Sequence, residues 1–357
     1  MGQPPPTHLP MLTNIRLQCQ QLTNPQFTTP KELVAWMGAL QAQNYPMAKW
    51  AIGIRLKSGS LSIVEESLQK GEIIRTHVMR PTWHIVAAED LRWMLKLCYQ
   101  RIKAANESWC RQIGIQEKEY LKCNREIEKI LEGKHLTREE MGIELTRLGN
   151  IVDQTRLNHY LFRAESEGII CSGADKNKKP TYALLEERVP PVKDLSKEEA
   201  LAKLATNYFR SHSPASLQDF TWWSGLLISE AKQAIEAIKP DLHVEKYGSL
   251  ELYVHESCQN APSPRAQLHL LPSYDEYLIS YKERGTVMDP VHHPKAFNNW
   301  GIFYPVILYN GRVVGNWHKK ASKNQVKIET TFFEHHPKIS EKLINHAIDR
   351  HKAFLIP

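Results

Sequence analysis

The sequence contains no hydrophobic run long enough to cross a membrane. A spanning helix needs roughly 18 or more apolar residues, and no stretch of this 357-residue chain approaches that length. The first ten residues, MGQPPPTHLP, also lack the basic start and apolar centre of a secretory signal. We therefore expect a cytoplasmic protein with no membrane partner. The length predicts two or three domains with buried cores.

The sequence also lacks any CxxC pair and any HExxH motif. The six cysteines are widely scattered, at Cys19, Cys98, Cys110, Cys123, Cys171 and Cys258. This spacing favours reduced, packed thiols over disulfides or a zinc site. We predict no bound metal and no cofactor. The net charge of +7 permits binding to nucleic acid without requiring it, because many proteins with no such partner are equally basic.

Three successive segments repeat the order of helices followed by a strand hairpin, which is the order of a winged-helix (helix-turn-helix) unit. The predicted units are 1–110, 111–192 and 193–262, followed by a small β-rich C-terminal domain at 263–357. In that last domain, Asn310-Gly311 between two apolar runs is a strong hairpin signal. The predicted fold class is therefore α+β, with three tandem winged-helix units and a β-rich end.

The segment Leu33–Trp50, LVAWMGALQAQNYPMAKW, begins as an amphipathic helix. Thr29 is its predicted N-cap, with Pro30 in the first turn. Its apolar residues recur at helical spacing: Leu33, Trp36, Met37 and Leu40. Pro46 disfavours helical geometry in the residue before it, so we expect the helix to end by about residue 44. Gln41 and Gln43 would then lie on its last turn. Neutral amides at a helix end are most often solvated or act as caps, which is the alternative to a functional role.

The second unit offers a candidate DNA-binding face. A capping box at Thr137–Glu140 opens one helix, and a second helix is predicted from about Gln154 to Glu167. Its exposed face would carry side chains that reach phosphates and base edges: Gln154, Arg156, Asn158, His159 and Arg163. The loop GADKNKKP between two strands is the predicted wing, with Lys176, Lys178 and Lys179. A solvated helix face has the same composition, so both interpretations stay open.

Two features of the C-terminal half concern packing. In the third unit we predict Ser213 as the N-cap of a helix with Pro214 at its first position, and we expect Trp222-Trp223 to be core. The polar residues of the segment LPSYDEYLISYKER would tie the C-terminal domain to the helical units: Tyr274, Asp275, Glu276, Tyr277, Tyr281 and Arg284. An ion pair of Asp275 or Glu276 with Arg284 is the simplest such contact.

Several stretches, taken in order, resemble one protein family over nearly the whole chain. They are RLQCQ at 16–20, LQAQNYP at 40–46, AIGIRL at 51–56, IIRTHVMRPTWHIVAAEDLRWM at 73–94, LPSYDEYLISYKER at 271–284 and NGRVVGNW at 310–317. The set resembles the winged-helix DNA glycosylases of interstrand-crosslink repair, the AlkZ/YcaQ-like family. The resemblance implies a concave DNA-binding body that removes N-alkylated bases, including crosslinked purines. It also implies a catalytic Gln–apolar–Gln signature, carried here by Gln41-Ala42-Gln43.

Two glutamines suit this chemistry for reasons independent of the resemblance. Cleavage of an N-glycosidic bond builds positive charge on the sugar as the base leaves. A base alkylated at N7 is already cationic, so its departure needs little acid catalysis. Two amide carbonyls, from Gln41 and Gln43, can hold the attacking water and face the cationic sugar. The lack of an obvious catalytic lysine favours a monofunctional, water-using glycosylase over a lyase.

A bulky adduct or crosslink cannot easily be flipped into a snug pocket. We therefore expect an open cleft lined by wings, with Arg80, Trp83 and His84 near the lesion. His84 could equally be a buried, hydrogen-bonded residue of the first hairpin.

The main alternative is a non-enzymatic winged-helix DNA-binding protein, because fold alone does not give function. A transcriptional regulator would dimerise on a palindromic site, whereas a repair enzyme would act as a monomer on double-stranded DNA containing alkylated or crosslinked bases. A lesion sensor that has lost catalysis is a third possibility.

Overall fold

A computed structural model describes residues 9–258, 266–322 and 325–356. The chain divides into two compact units, one built from Met1–Val64 with Leu201–Pro357 and the other from Glu65–Ala200. Helices and antiparallel sheets occur along the whole described chain, as the predicted α+β class requires. The four-part domain division stays a prediction.

The N-terminal part is helical with one short strand. Its elements are α1 (Leu9–Cys19), α2 (Pro30–Met37), β1 (Leu40–Gln41), α3 (Tyr45–Gly53) and α4 (Leu61–Lys70). The Thr29 side chain accepts the backbone N–H of Glu32, and Glu32 reaches back to Thr29, so α2 begins with the cap that the sequence predicted. It ends at Met37 because Gly38 adopts a φ of 76°, a conformation that favours glycine.

The prediction of one helix continuing to about residue 44 is wrong. After Gly38 the backbone is extended through β1, and a second helix begins at Tyr45. The Asn44 side chain accepts the N–H of Met47 and caps this helix. Pro46 lies in the first turn of α3, where proline is favoured because its missing N–H would have no helical acceptor. Pro46 therefore helps to begin a helix instead of ending one.

The second unit combines five helices and five short strands within its described range. In chain order these are β2 (Ile73–His77), β3 (Trp83–Ala87), α5 (Ala88–Ile113), α6 (Glu117–Leu131), β4 (Leu136–Thr137), α7 (Arg138–Arg147), α8 (Gln154–Ser166), β5 (Ile170–Ser172), β6 (Thr181–Leu184) and α9 (Leu185–Arg188). The predicted capping box at Thr137 is confirmed. Strands β4, β6 and β5 form an antiparallel sheet that holds the predicted wing loop between β5 and β6.

One apolar core holds the helices of this unit together. It joins α6, α7, α8 and β5 through the buried side chains of Ile127, Leu131, Met141, Leu145, Leu157, Leu161, Ala164 and Ile170. Strands β2 and β3 form the predicted antiparallel hairpin, with Ile73 opposite Ala87 and His77 opposite Trp83.

The C-terminal half carries two sheets and several short helices. The elements are α10 (Lys197–His212), α11 (Leu217–Ser224), α12 (Ile228–Ala237), β7 (Leu242–Tyr247), β8 (Leu250–His255), β9 (Leu268–Leu271), α13 (Glu276–Ile279), α14 (His293–Ala296), β10 (Val306–Tyr309), β11 (Arg312–Ser322), β12 (Gln325–Phe332) and α15 (Glu341–Leu355). The predicted hairpin of β7 and β8 is confirmed. A four-stranded antiparallel sheet has the order β12-β11-β10-β9, and Asn310-Gly311 forms the turn between β10 and β11 as predicted.

Ser213 is not the N-cap of α11. Ser216 takes that place, because it exchanges hydrogen bonds with Asp219 in a reciprocal cap. Of the tryptophan pair, Trp223 is core at 1% exposed, whereas Trp222 is 37% exposed. The prediction of a buried pair therefore holds for Trp223 alone.

The prediction of reduced thiols is wrong for one pair of cysteines. Cys19 and Cys258 form a disulfide, with their Cα atoms 6.2 Å apart. Their buried cluster with Ile15 and Val254 brings α1 against the residues after β8. The two cysteines are 239 positions apart in sequence, so spacing gave no sign of their contact.

Candidate active site

The two glutamines of the signature lie on the connection between α2 and α3. Gln41 is the last residue of β1 and is 5% exposed, whereas Gln43 is exposed. On an unbroken helix their side chains would diverge by roughly 200°. In the structure only Leu40–Gln41 is strand, and Gln43 lies at a bend before α3. The connection is not helical, so the divergence expected on an unbroken helix does not apply to these two side chains.

The backbone of Gln41 is fixed by a buried carboxylate from a distant part of the chain. Its N–H donates to Oε1 of Glu276 at 2.5 Å across 235 positions of sequence. Glu276 begins the short helix α13, and Asp275 caps that helix by accepting the N–H of Tyr277 at 2.9 Å. Glu276 is 2% exposed. The segment that begins at Asp275 therefore holds the backbone of Gln41 in place.

The second oxygen of Glu276 lies among further polar side chains. Oε2 accepts the indole N–H of Trp223 at 3.2 Å and the hydroxyl of Ser280, and His212 Nε2 lies 3.6 Å away. Burial acts to raise the pKa of Glu276, but His212, Ser280 and the Gln41 N–H outweigh it and lower that pKa to about 2. Burial lowers the pKa of His212. At neutral pH the carboxylate is therefore charged and the imidazole is neutral.

A buried network extends from this point to α1. The guanidinium of Arg55 donates to both carboxylate oxygens of Asp275, and its Nη2 also donates to Gln20 Oε1 at 3.0 Å. The Gln20 amide donates to the Tyr281 hydroxyl at 3.1 Å, which donates to the carbonyl of His212 at 2.8 Å. The prediction that this segment ties the C-terminal part to the helical parts is confirmed. The partner predicted for Asp275 is wrong, because that partner is Arg55 and not Arg284.

All nine residues predicted to bind DNA lie in the compact unit Glu65–Ala200. Two of them, Arg156 and Arg163, are held in ion pairs on α8. Arg156 Nη1 lies 2.9 Å from Glu119, and Arg163 Nη2 lies 2.6 Å from Glu117. Asn158 is exposed and accepts a hydrogen bond from Arg138. His159 is 6% exposed, so its predicted place on the open face of the helix is wrong.

The first hairpin places its three candidates differently. Arg80 is half-buried in the turn. The guanidinium of Arg75 lies 4.0 Å from the centroid of the Trp83 ring, and the His77 ring lies at the same distance from it. His84 is 1% exposed, which fits the buried alternative for this residue.

The wing between β5 and β6 carries the three candidate lysines. Lys176 pairs with Glu140, and Lys179 Nζ lies 3.0 Å from Glu139. Lys178 is exposed at the tip with a φ of 63°. These three ammonium groups therefore lie on the surface of the second unit.

Sequence reasoning missed the contact between Glu276 and Gln41. One signal was present, since Glu276 stands directly before the apolar run Tyr277-Leu278-Ile279, and a buried acid needs a specific partner. Across the described ranges, no group of three or more His, Cys, Asp and Glu side chains is arranged to hold a metal ion. None of the described helices is both long and apolar enough to cross a membrane.

Comparisons with known proteins show the family of this chain. The family described as DNA glycosylase AlkZ-like matches residues 34–354. An interstrand DNA cross-link repair glycosylase from Streptomyces sahachiroi is 24% identical over 319 residues, which cover 85% of each chain. The solved structure of the Streptomyces sahachiroi DNA glycosylase AlkZ shares the fold, with a TM-score of 0.81 at 21% identity over 97% of this chain and 96% of that one. The chain belongs to the AlkZ-like DNA glycosylase family.

Proposed function

We propose that this protein removes N7-alkylguanine-type bases from double-stranded DNA and unhooks interstrand crosslinks by hydrolysing the N-glycosidic bond. Gln41 and Gln43 form the catalytic centre. The observation that carries the proposal is the intact Gln41-Ala42-Gln43 signature in a chain of this family, on the non-helical connection between α2 and α3, where the Gln41 N–H donates to buried Glu276.

The proposed step is a displacement by water. The bond between C1′ and the base nitrogen breaks, and its electron pair neutralises the positive charge of the alkylated base. The sugar becomes cationic, water oxygen bonds to C1′, and the proton of that water is released to solvent. The amide oxygens of Gln41 and Gln43 orient the water and face the sugar, while their N–H groups donate elsewhere. A glutamine is a weak base, which suffices because the leaving base is already charged.

The finer architecture belongs to the same proposal. Three tandem winged-helix units would present the signature in an open cleft, and a water nucleophile makes the enzyme monofunctional. We propose a cytoplasmic monomer whose DNA contacts include Arg80, Trp83 and the wing lysines Lys176, Lys178 and Lys179. The ion pairs of Arg156 and Arg163 and the burial of His84 favour structural roles for those three residues.

A base-excision assay tests the proposal. Purified protein is incubated with duplex DNA that carries N7-methylguanine or a nitrogen-mustard crosslink, and alkali then cleaves the abasic sites. Gln41→Ala and Gln43→Ala should each lower the single-turnover rate by roughly 100-fold. Gln26→Ala, an exposed glutamine of the same unit, is the matched control and should retain the wild-type rate. Intact DNA binding without base release by the wild type would instead support a regulator or a lesion sensor.

A further inference from the structure

Glu276 is a buried carboxylate with no arginine or lysine among its contacts in the described part of the chain. Within the described chain it receives the N–H of Gln41, the indole N–H of Trp223 and the hydroxyl of Ser280, and it lies beside the neutral imidazole of His212. A buried charge is costly unless it is paired or strongly hydrogen-bonded. A neutral glutamine could accept the Gln41 N–H without the cost of a buried charge, so this hydrogen bond alone does not require a carboxylate.

The buried cations of the same unit are engaged with other groups. Arg55 binds both oxygens of Asp275, Arg16 donates to the Pro214 carbonyl and covers the Tyr281 ring, and Lys49 lies over the Tyr45 ring. None of these three cations contacts Glu276, and burial lowers the pKa of its neighbour His212. Because the site is buried, water screens the charge of Glu276 weakly.

A negative charge near the sugar would accelerate the reaction proposed above, and the neutral signature does not supply one. The sugar becomes cationic in the transition state, yet Gln41 and Gln43 are neutral at every pH in solution. Glu276 is 2% exposed and lies behind the backbone of Gln41. Both of its oxygens accept hydrogen bonds from the protein, so it acts neither as a base nor as a nucleophile, but its field reaches the position in front of the signature.

We propose that Glu276 is a positioning residue for base excision, which fixes the backbone of Gln41 and directs a negative potential at the cationic sugar. This inference rests on the proposed function. A fixed charge acting over about 8 Å through an effective dielectric of about 20 changes a rate by roughly 10- to 50-fold. The effect should fall on the chemical step and not on the binding of undamaged DNA, because neither the bases nor the sugars of undamaged DNA carry a positive charge.

Glu276→Gln removes the charge but keeps the size of the side chain, and its amide oxygen can still accept the Gln41 N–H. Asp219→Asn is the matched control. Asp219 is another buried carboxylate with uncharged donors, namely the backbone N–H groups of Ser216, Lys282 and Glu283. Two quantities are measured for each variant. One is the single-turnover excision of N7-methylguanine, and the other is the ratio of the Kd values for DNA with a neutral tetrahydrofuran or a cationic pyrrolidine in place of the sugar.

Wild type and Asp219→Asn should prefer the cationic pyrrolidine, and Glu276→Gln should lose both that preference and 10- to 50-fold in rate. Glu276→Asp keeps the charge, so it should retain the preference even where its rate falls. Equal weakening of both analogues by Glu276→Gln, or loss of the preference in Glu276→Asp, would overturn the inference. If wild type itself releases no base, the proposed function fails. If wild type excises bases and Glu276→Gln keeps the preference, only this inference fails.

Discussion

Arg55 holds both carboxylate oxygens of Asp275, at 2.9 and 2.7 Å, with the two side chains 0% and 1% exposed. The same guanidinium donates to the carbonyl of Ala51 at 2.9 Å. The pair joins the end of α3 to the cap of α13. The pair thereby holds α3, which follows Gln41, against the start of α13, where Glu276 lies.

Breaking this pair should destabilise the protein strongly. Arg55→Met leaves Asp275 buried without its partner, which typically costs about 3–5 kcal/mol. The double variant Arg55→Met with Asp275→Leu removes both charges and should recover most of that loss. Urea unfolding followed by circular dichroism measures the change. Glu186→Gln, in the exposed pair of Arg92 with Glu186, is the control and should cost less than about 1 kcal/mol. Equal losses in Arg55→Met and the control would contradict the prediction.

Gly38→Ala should lower both stability and excision. Its φ of 76° strains any other residue, and an added Cβ would lie 3.1 Å from Asn207 Cβ. We expect a loss of about 1–3 kcal/mol and slower base release, because Gly38 sets the path of the chain into Gln41. Gly133→Ala is the matched control, since its φ is 62° but nothing lies within 4 Å of the added atom. A larger loss in Gly133→Ala than in Gly38→Ala would show that crowding at Gly38 is unimportant.

Stability should fall as the pH drops below about 6.5. Burial lowers the pKa of His269 to about 3 and that of His351 to about 4. Between these values and 6.5 the unfolded chain binds protons that the folded chain does not, so acid favours unfolding. Each histidine contributes up to about 1.4 kcal/mol per pH unit. The urea midpoint of His269→Phe should depend less on pH than that of wild type between pH 7 and 5. An unchanged pH dependence would show that His269 accepts a proton in the folded protein.

Lys178 and Arg163 should differ in their effect on DNA binding. Lys178 is exposed at the wing, so Lys178→Ala should weaken binding to all sequences alike and reduce the slope of log Kd against log salt by about one. Arg163→Ala breaks the ion pairs with Glu117 and Glu167, so it should lower thermal stability while leaving that slope unchanged. Fluorescence anisotropy at several salt concentrations and thermal melts distinguish the two. A reduced salt slope in Arg163→Ala would show that Arg163 does contact DNA.

Helix caps and a hairpin turn are the features that the sequence predicted well. The caps at Thr29 and Thr137 and the turn at Asn310-Gly311 depend on residues only a few positions apart, so a short window contains the whole signal. Gly38 and Asn44 carry the same kind of local signal, but the helix prediction did not use it. Pro46 predicted the end of the helix that precedes it, whereas Asn44 caps a new helix.

By itself the sequence determined the α+β class, the Gln41-Ala42-Gln43 signature and, through the ordered set of matching stretches, the family. Only the tertiary structure decided which groups surround the signature. Glu276 reaches Gln41, and Cys19 reaches Cys258, across more than two hundred positions. Such contacts depend on how all the intervening elements pack, because burial of a polar group follows from the whole core and not from its sequence neighbours. The burial of His84 and His159 was decided in the same way.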